Sequence, residues 1–335
     1  MTGVVRFSYF FILLVIVITG WTHLATPLLT VLFSYFALCR LNVRDRKWLS
    51  VLLFLILVSG ILYGLGFITK RALHALPKIA SESIPQIITY AKEHHVELPF
   101  SDLDSLKAAV MDMMKDEFQF VSNFARAATK QFIFIVIGIV VALSLFLNPG
   151  IEKGPLTRKP PNLFTAATDE ITNRFRLFYG SFETVMGAQL LISAINTVLT
   201  AIFVMAISLR HATVVVGLTF ICGLLPIVGN LISNSIIVGI AFTISPRAAI
   251  AALIFLIALH KLEYFLNSKI IGDRIKNPVW LTLLALIIGE RLMGIPGMIL
   301  APVVLNYVKV EASRWPSPQR KTVDRAEEQE SLAEH

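Results

Sequence analysis

Apolar stretches alternate with polar loops along most of the chain. A membrane-crossing helix needs about 20 predominantly apolar residues. Six runs of roughly this length occupy residues 4–21, 24–39, 49–68, 131–147, 185–209 and 248–265. This pattern predicts an all-α integral membrane protein with about six full spans.

Two further apolar runs, 212–246 and 278–308, are too long for one ordinary span. Glycine and proline residues break or reshape both: Gly223, Pro226, Gly229, Gly294, Pro296, Gly297 and Pro302. These residues end half-helices and let backbones or a ligand approach closely. Irregular backbone at membrane depth is tolerated only where protein or a water-filled cavity supplies hydrogen-bond partners. Each run is therefore either a bent span, giving eight spans in all, or a re-entrant hairpin.

The charges in the loops favour hairpins. The loop 40–48 is the densest positive short loop, so the positive-inside rule places it and both termini in the cytoplasm. If both broken runs were bent spans, the basic loop 267–277 would lie outside and violate the rule. Hairpins place that loop inside and leave only Arg247 on the outer side, which is the smaller violation.

An ordinary span precedes each broken run, which is typical of transporters built from inverted repeats with a binding region at the breaks. The sequence thus predicts an inverted repeat in the second half, with the two hairpin tips meeting near the midplane. The expected organisation is a three-span segment 1–69, an extracytoplasmic amphipathic helical region 70–130, a fourth span with a cytoplasmic interfacial helix 131–184, a transport core 185–310 and a disordered cytoplasmic tail 311–335.

Two of these segments carry more detailed expectations. Pro77, Pro85 and Pro99 are expected to divide the extracytoplasmic region into shorter helices. The interfacial helix is expected to lie along the inner leaflet, because apolar residues share one face while Glu170 and Arg174 lie on the other.

Composition agrees with the span pattern. The chain is 56% hydrophobic and 16% charged, with a mean hydropathy of +0.72. The formal charge of +8 is scattered through the loops, which indicates orientation against anionic lipid rather than nucleic-acid binding. Cys39 and Cys222 lie inside apolar segments and are read as small buried hydrophobes.

Ionisable groups within the hydrocarbon region cost about 2.5 to 3.5 kcal/mol on insertion scales and therefore indicate function. His260 and Glu263 are spaced to lie on one helical face, where they can share a proton or bind a cation. The alternative is a helix end in the headgroup zone. Glu290 and Arg291 either pair with other groups at the second tip or are solvated.

Neutral polar side chains complete the candidate pathway. Gln189 and Asn196 lie in an uncharged span, where amides either bond a neighbouring helix or contact a ligand. Asn230 and Asn234 follow the first break, where they either contact a solute or satisfy the broken backbone. Free N–H groups at the breaks could hold an anion or a polar solute.

Three motifs carry a family resemblance: GLLPIVGN at 223–230, HKLEYFLNSKIIGDRIKNP at 260–278 and GERLMGIPGMILAP at 289–302. Over roughly 180–307 the chain resembles the autoinducer-2 exporter (AI-2E) family of bacterial inner-membrane transporters. The resemblance implies export of a small polar signal or Na⁺/H⁺ antiport, a homo-oligomer with a pentamer as the expected form, and hairpins that move as an elevator. The family often has proline near 267–268 and histidine where this chain has Asn277, so the resemblance does not transfer a substrate.

The sequence therefore predicts a secondary transporter for a small polar solute, signal molecule or monovalent cation, coupled to H⁺ or Na⁺ through Glu263 with His260. No phosphate-binding GxxxxGK[ST] loop or HExxH zinc motif is present. We expect no enzymatic activity, cofactor or metal, and we expect membrane lipid and the transported species as partners. The alternative function is a non-transporting membrane scaffold.

Overall fold

The structure is a computed structural model that describes residues 3–22, 24–43, 46–93, 117–148, 162–209, 211–225, 228–271 and 278–314. The regular structure in these ranges is helical throughout. The helices are α1 (Gly3–Trp21), α2 (Ala25–Arg40), α3 (Lys47–Glu93), α4 (Glu117–Leu147), α5 (Leu163–Ala206), α6 (Ala212–Gly223), α7 (Val228–Ile244), α8 (Pro246–Ile271), α9 (Val279–Met293) and α10 (Ile295–Ala312).

Within the described residues, five stretches of helix are long and apolar enough to cross a membrane. They are Gly3–Trp21, Lys47–Arg71, Thr129–Leu147, Leu163–Ala206 and Ile295–Ala312. Three shorter apolar helical stretches accompany them: Ala25–Arg40, Ala212–Gly223 and Gly229–Phe242. Large apolar side chains are exposed on the outward faces, as an apolar environment requires; Phe10 is 62% exposed. The predicted all-α membrane fold is confirmed.

Helix α5 is the element on which the others are assembled. It contains 44 residues and at a rise of 1.5 Å per residue is about 66 Å long. A reciprocal cap fixes its start: Thr165 N donates to Asn162 Oδ1 at 2.8 Å, and Asn162 N donates to Thr165 Oγ1 at 3.1 Å. Along its length α5 packs against α1, α2, α6, α8 and α10.

Two buried hydrophobic clusters lie along α5, one around each half of the helix. Around its first half, Phe178 and Phe182 pack with side chains of α1, α2 and α10. Phe33 meets the Phe182 ring edge to face, with centroids 5.0 Å apart. Around its second half, Val204 packs with α6, α7 and α8. A smaller cluster joins α2, α3 and α4 around Leu38.

Helix boundaries differ from the expectations in three places. The expected interfacial helix is the first half of α5, and it continues into the following span without a break. Helix α3 continues through Pro77 and Pro85, because one proline removes a single backbone hydrogen bond and can bend a helix without ending it. Pro99 lies outside the described residues. Glu311, expected to begin the tail, lies inside α10 and is buried.

Candidate transport site at the broken helices

Each of the two overlong apolar runs consists of two helices. The first helix pair, α6 and α7, has 12 and 17 residues, so the helices are about 18 and 26 Å long. Both are shorter than the roughly 30 Å hydrocarbon core of a bilayer. The second helix pair, α9 and α10, has 15 and 18 residues. The two helices of each pair pack against each other.

Glycines make the close packing within each pair possible. A Cβ atom on Gly229 would overlap the carbonyl oxygen of Cys222. In the second pair, Gly289 and Gly297 each lie against the other's carbonyl group, so a side chain on either would collide with backbone. These contacts explain why glycine recurs at the breaks.

The turn between α9 and α10 also requires glycine. Gly294 has φ 65° and ψ −149°, a backbone conformation almost confined to glycine. Pro296 follows in the first turn of α10, where its missing N–H costs nothing. Pro302 lies inside α10. Pro226, the proline of the first break, lies outside the described residues.

Side chains of α5 bind the end of α6. Gln189 Nε2 donates to the carbonyl oxygen of Gly223 at 2.6 Å. Ser193 Oγ donates to the carbonyl oxygen of Phe220 at 2.9 Å. The last carbonyls of a helix have no partner within it, so these bonds replace the missing ones. Gln189 therefore joins two helices and satisfies broken backbone.

Asn196 lies two turns further along α5 and is 5% exposed. Its Oδ1 atom and the Thr200 hydroxyl one turn later are buried with no hydrogen-bond partner in the described part of the chain. Unpaired buried polar atoms are costly, and these two atoms retain the capacity to accept a hydrogen bond.

The structure brings Asn230, Glu263 and His260 together. Asn230 begins the second half of the broken run, and its Nδ2 donates to Glu263 Oε2 on α8 at 2.5 Å. The same carboxylate oxygen lies 3.8 Å from His260 Nδ1. The Glu263 side chain is 14% exposed, whereas His260 is 74% exposed. A shielded carboxylate is therefore in contact with both the broken helix and an exposed imidazole.

Other predicted residues lie apart from this cluster. Asn234 is half-buried one turn after Asn230 on α7. Glu290 and Arg291 are exposed at the end of α9, and no ion pair joins them to another residue of the described ranges. No group of three or more His, Cys, Asp or Glu side chains in those ranges is arranged to hold a metal ion.

The two helix pairs occupy comparable positions along α5 without packing extensively on each other within the described residues. The end of α6 is bonded to Gln189. Near the start of α10, Leu300 belongs to the same buried cluster as Val185 and Met186. Both breaks therefore lie near the middle of α5. Each helix pair packs mainly on α5 rather than on the other pair.

A buried ion-pair network was missed by the sequence reasoning, which placed Arg174 and Glu170 on a solvated face. Arg174 is 5% exposed and pairs with Glu311 of α10 and Glu170 of α5. Tyr9 of α1 donates to Glu311 Oε1 at 2.6 Å, and its ring lies 4.3 Å from the guanidinium carbon. The spacing of Glu170 and Arg174 is the only sequence signal for this network, since Glu311 is distant in the chain.

The fold and these sites define a multi-span membrane protein with two broken helix pairs packed on a long central helix. The chain belongs to the AI-2E transporter family, which residues 7–316 match. It is also 24% identical over 328 residues to the "Putative transport protein YdbI" of Bacillus subtilis (strain 168), with 91% of this chain and 90% of that protein covered. The protein is therefore a membrane transporter, and the family resemblance of the three motifs is confirmed.

Proposed function

We propose that the protein is a secondary transporter that moves a small polar solute or a monovalent cation and couples its flux to H⁺ or Na⁺ through Glu263. AI-2E-like export and Na⁺/H⁺ antiport are the two forms that this proposal includes. The observation that carries it is the contact of Glu263 with Asn230 of the broken run. Membership of a transporter family supports it independently.

The cluster supplies a means of coupling. An ionised Glu263 accepts the Asn230 hydrogen bond and so attaches α7 to α8. Charge-assisted hydrogen bonds are roughly twice as strong as neutral ones, so protonation of the carboxylate weakens this attachment. A bound Na⁺ would compete for the same oxygen. The occupancy of Glu263 is thereby linked to the position of the broken helix.

We assign to His260 the role of connecting the shielded Glu263 carboxylate with water. Its Nδ1 lies 3.8 Å from Glu263 Oε2, and most of its side chain is exposed. Imidazole takes up and releases protons near neutral pH more readily than any other side chain. In this proposal His260 passes a proton between solvent and Glu263, while Glu263 is the group on which coupling depends.

The proposal also includes the membrane arrangement. Helices α6 and α7 are too short to cross a bilayer alone, which supports a re-entrant hairpin that returns to the face from which it entered. The loop charges support cytoplasmic termini in a bacterial inner membrane. The proposal includes a homo-oligomer, with a pentamer as the expected form, on the basis of the family resemblance.

Flux measurements on Glu263→Gln test the assignment. The variant keeps the size of the side chain but cannot lose a proton. We expect reconstituted protein to lose flux driven by an imposed pH or Na⁺ gradient, across a panel of Na⁺, K⁺ and small polar solutes. Glu290→Gln is the matched control, because Glu290 is exposed and has no ion-pair partner among the described residues.

The control should retain wild-type flux. Full gradient-coupled flux in Glu263→Gln would remove Glu263 from the coupling mechanism. Equal loss of flux in both variants, with normal insertion into liposomes, would show that flux depends on negative charge in the second half of the chain in general. It would not then depend on the contact between Glu263 and Asn230.

A further inference from the structure

Four polar side chains of α5 form two pairs with the same spacing. Gln189 and Ser193 are the proximal polar pair, and Asn196 and Thr200 are the distal polar pair, seven residues further on. Residues on one face of a helix recur every three or four positions, so all four side chains lie along one narrow stripe. Seven residues are two helical turns, or about 10.5 Å along α5. The distal pair therefore repeats the geometry of the proximal pair two turns away.

The two pairs differ in what they bind. The proximal pair donates to the last turn of α6, Gln189 to the Gly223 carbonyl and Ser193 to the Phe220 carbonyl. The distal pair is buried, and its Oδ1 and Oγ1 atoms have no hydrogen-bond partner among the described residues. Because the two proximal contacts run antiparallel, the distal pair lies beside earlier turns of α6, whose carbonyls already accept bonds within the helix. The distal pair thus has the groups that bind a helix end without a helix end beside it.

The end of α6 packs closely on this stripe and interlocks with α7. A Cβ atom on Gly223 would overlap Ser193, so the absence of a side chain lets the helix end lie directly against α5. Gly229 of α7 lies in the same way against the carbonyl group of Cys222. The last turn of α6 therefore cannot move along α5 without taking the start of α7 with it.

The connection between α5 and α6 is long enough for such a movement. It consists of residues 207–211, and five residues span at most about 17 Å. This reach exceeds a displacement of two helical turns. Ser208 and His211 in this connection have φ values of 50° and 60°. Residues other than glycine seldom adopt such values, and they cluster in segments that change conformation.

We propose that Asn196 and Thr200 form a second docking site for the last turn of α6, which is reached when α6 and α7 slide two turns along α5. In this second register Asn196 replaces Gln189, which is longer by one methylene group, and Thr200 replaces Ser193. Both registers supply donors to the carbonyls at the end of α6, so the movement exchanges hydrogen bonds and does not lose them. Under the proposed function, on which this last step rests, the movement carries the break about 10 Å along α5 between two stages of transport.

Pulsed electron double resonance between two spin labels measures the register in the full chain in liposomes. Leu163→Cys and Phe220→Cys place the labels at the start of α5 and the end of α6, where both native side chains are exposed. The native cysteines are replaced by Cys39→Ser and Cys222→Ala. Phe220 lies beside Ser193, 30 residues after Leu163, so the first register gives about 45 Å and the second about 55 Å.

A label pair within α5 is the control for the ruler itself. Leu163→Cys with Val198→Cys places both labels on exposed positions of this one helix. Its distance should stay the same in every variant, because no register change alters the length of α5.

Variants of each polar pair should shift the register in opposite directions. Gln189→Leu with Ser193→Ala removes two neutral hydrogen bonds, which are worth about thirtyfold in a two-state equilibrium. The 55 Å population should rise by about that factor relative to the 45 Å population. Asn196→Leu with Thr200→Val should abolish the 55 Å population. Thr197→Val is the matched control and should change neither population, because its hydroxyl bonds within α5 to the Ser193 carbonyl.

A single distance of about 45 Å, both in the wild type and after removal of the proximal donors, would overturn the second register. So would a 55 Å distance that survives Asn196→Leu with Thr200→Val. Ser193→Ala alone, with an expected shift of about fivefold, replaces the proximal double variant if that variant does not insert. The distances are measured without any flux, so their outcome is separate from the loss of coupled flux expected for Glu263→Gln.

Discussion

Replacing Arg174 with methionine tests whether its buried network holds α10 to the first half of α5. The substitution leaves Glu311, which is 6% exposed, without its cationic partner and leaves one of its oxygens, Oε2, still unpaired. Removing one partner of a buried ion pair typically costs about 3 to 5 kcal/mol, because the remaining charge stays buried. We expect Arg174→Met to lower the free energy of unfolding by an amount in this range.

The double variant Arg174→Met, Glu311→Leu separates the ion pair from simple loss of packing. Replacing both members of a buried pair with apolar residues of similar volume is often neutral or stabilising. The double variant should therefore recover most of the stability lost in the single one. The unfolding free energies for this double-mutant cycle are measured by unfolding the helices in sodium dodecyl sulfate and following the loss of helix by circular dichroism.

Arg40→Met is the matched control for an arginine in an ion pair at the surface. Arg40 pairs with Glu183 at 3.0 Å, but the two side chains are 65% and 40% exposed. Pairs of this kind contribute about 0.2 to 1 kcal/mol. If Arg174→Met were no more destabilising than Arg40→Met, or if the double variant were as unstable as Arg174→Met, the network would not stabilise the fold by burial of paired charge.

Two smaller predictions concern the helix pairs. Gly297→Ala should destabilise the second pair, because the new Cβ atom meets the backbone of α9. Gly239→Ala is the control, because there is open space around its Cβ position. This control should be neutral or slightly stabilising in the same unfolding assay. Gln189→Leu should cost about 1 to 3 kcal/mol, because it leaves the Gly223 carbonyl unpaired. Thr184→Val is the control, because it removes only an exposed hydrogen bond within its own helix. Equal losses of unfolding free energy in Gln189→Leu and Thr184→Val would contradict a role for Gln189 in holding α6.

Hydropathy predicted the membrane fold and the two breaks because lipid imposes length and composition on whatever crosses it. The same signal did not predict the helix ends. Helix α3 continues from its apolar stretch to Glu93, since a backbone that is already helical can continue beyond the membrane at small cost per residue. For the same reason the sequence predicted an interfacial helix separate from the span that follows. The polarity of the side chains changes at that point, but the backbone remains helical.

Local spacing and distant contacts differ in how well the sequence reveals them. The His260 and Glu263 pair was suggested by spacing along one helix, and the structure places the two side chains 3.8 Å apart. The partner of Glu263 across the break, Asn230, was among the candidates without a specified contact. The Arg174 and Glu311 pair joins positions 137 residues apart, and hydropathy contains no information about which distant charges meet.

The length of α5 has a mechanical consequence. Both buried clusters and both helix pairs contact this single rod, with one cluster on each side of its midpoint. A tilt of roughly 10° about that midpoint would move each end of a 66 Å helix by about 6 Å, and in opposite directions. Such a tilt would displace α10, which packs on the first half of α5, and α8, which packs on the second half, in opposite directions.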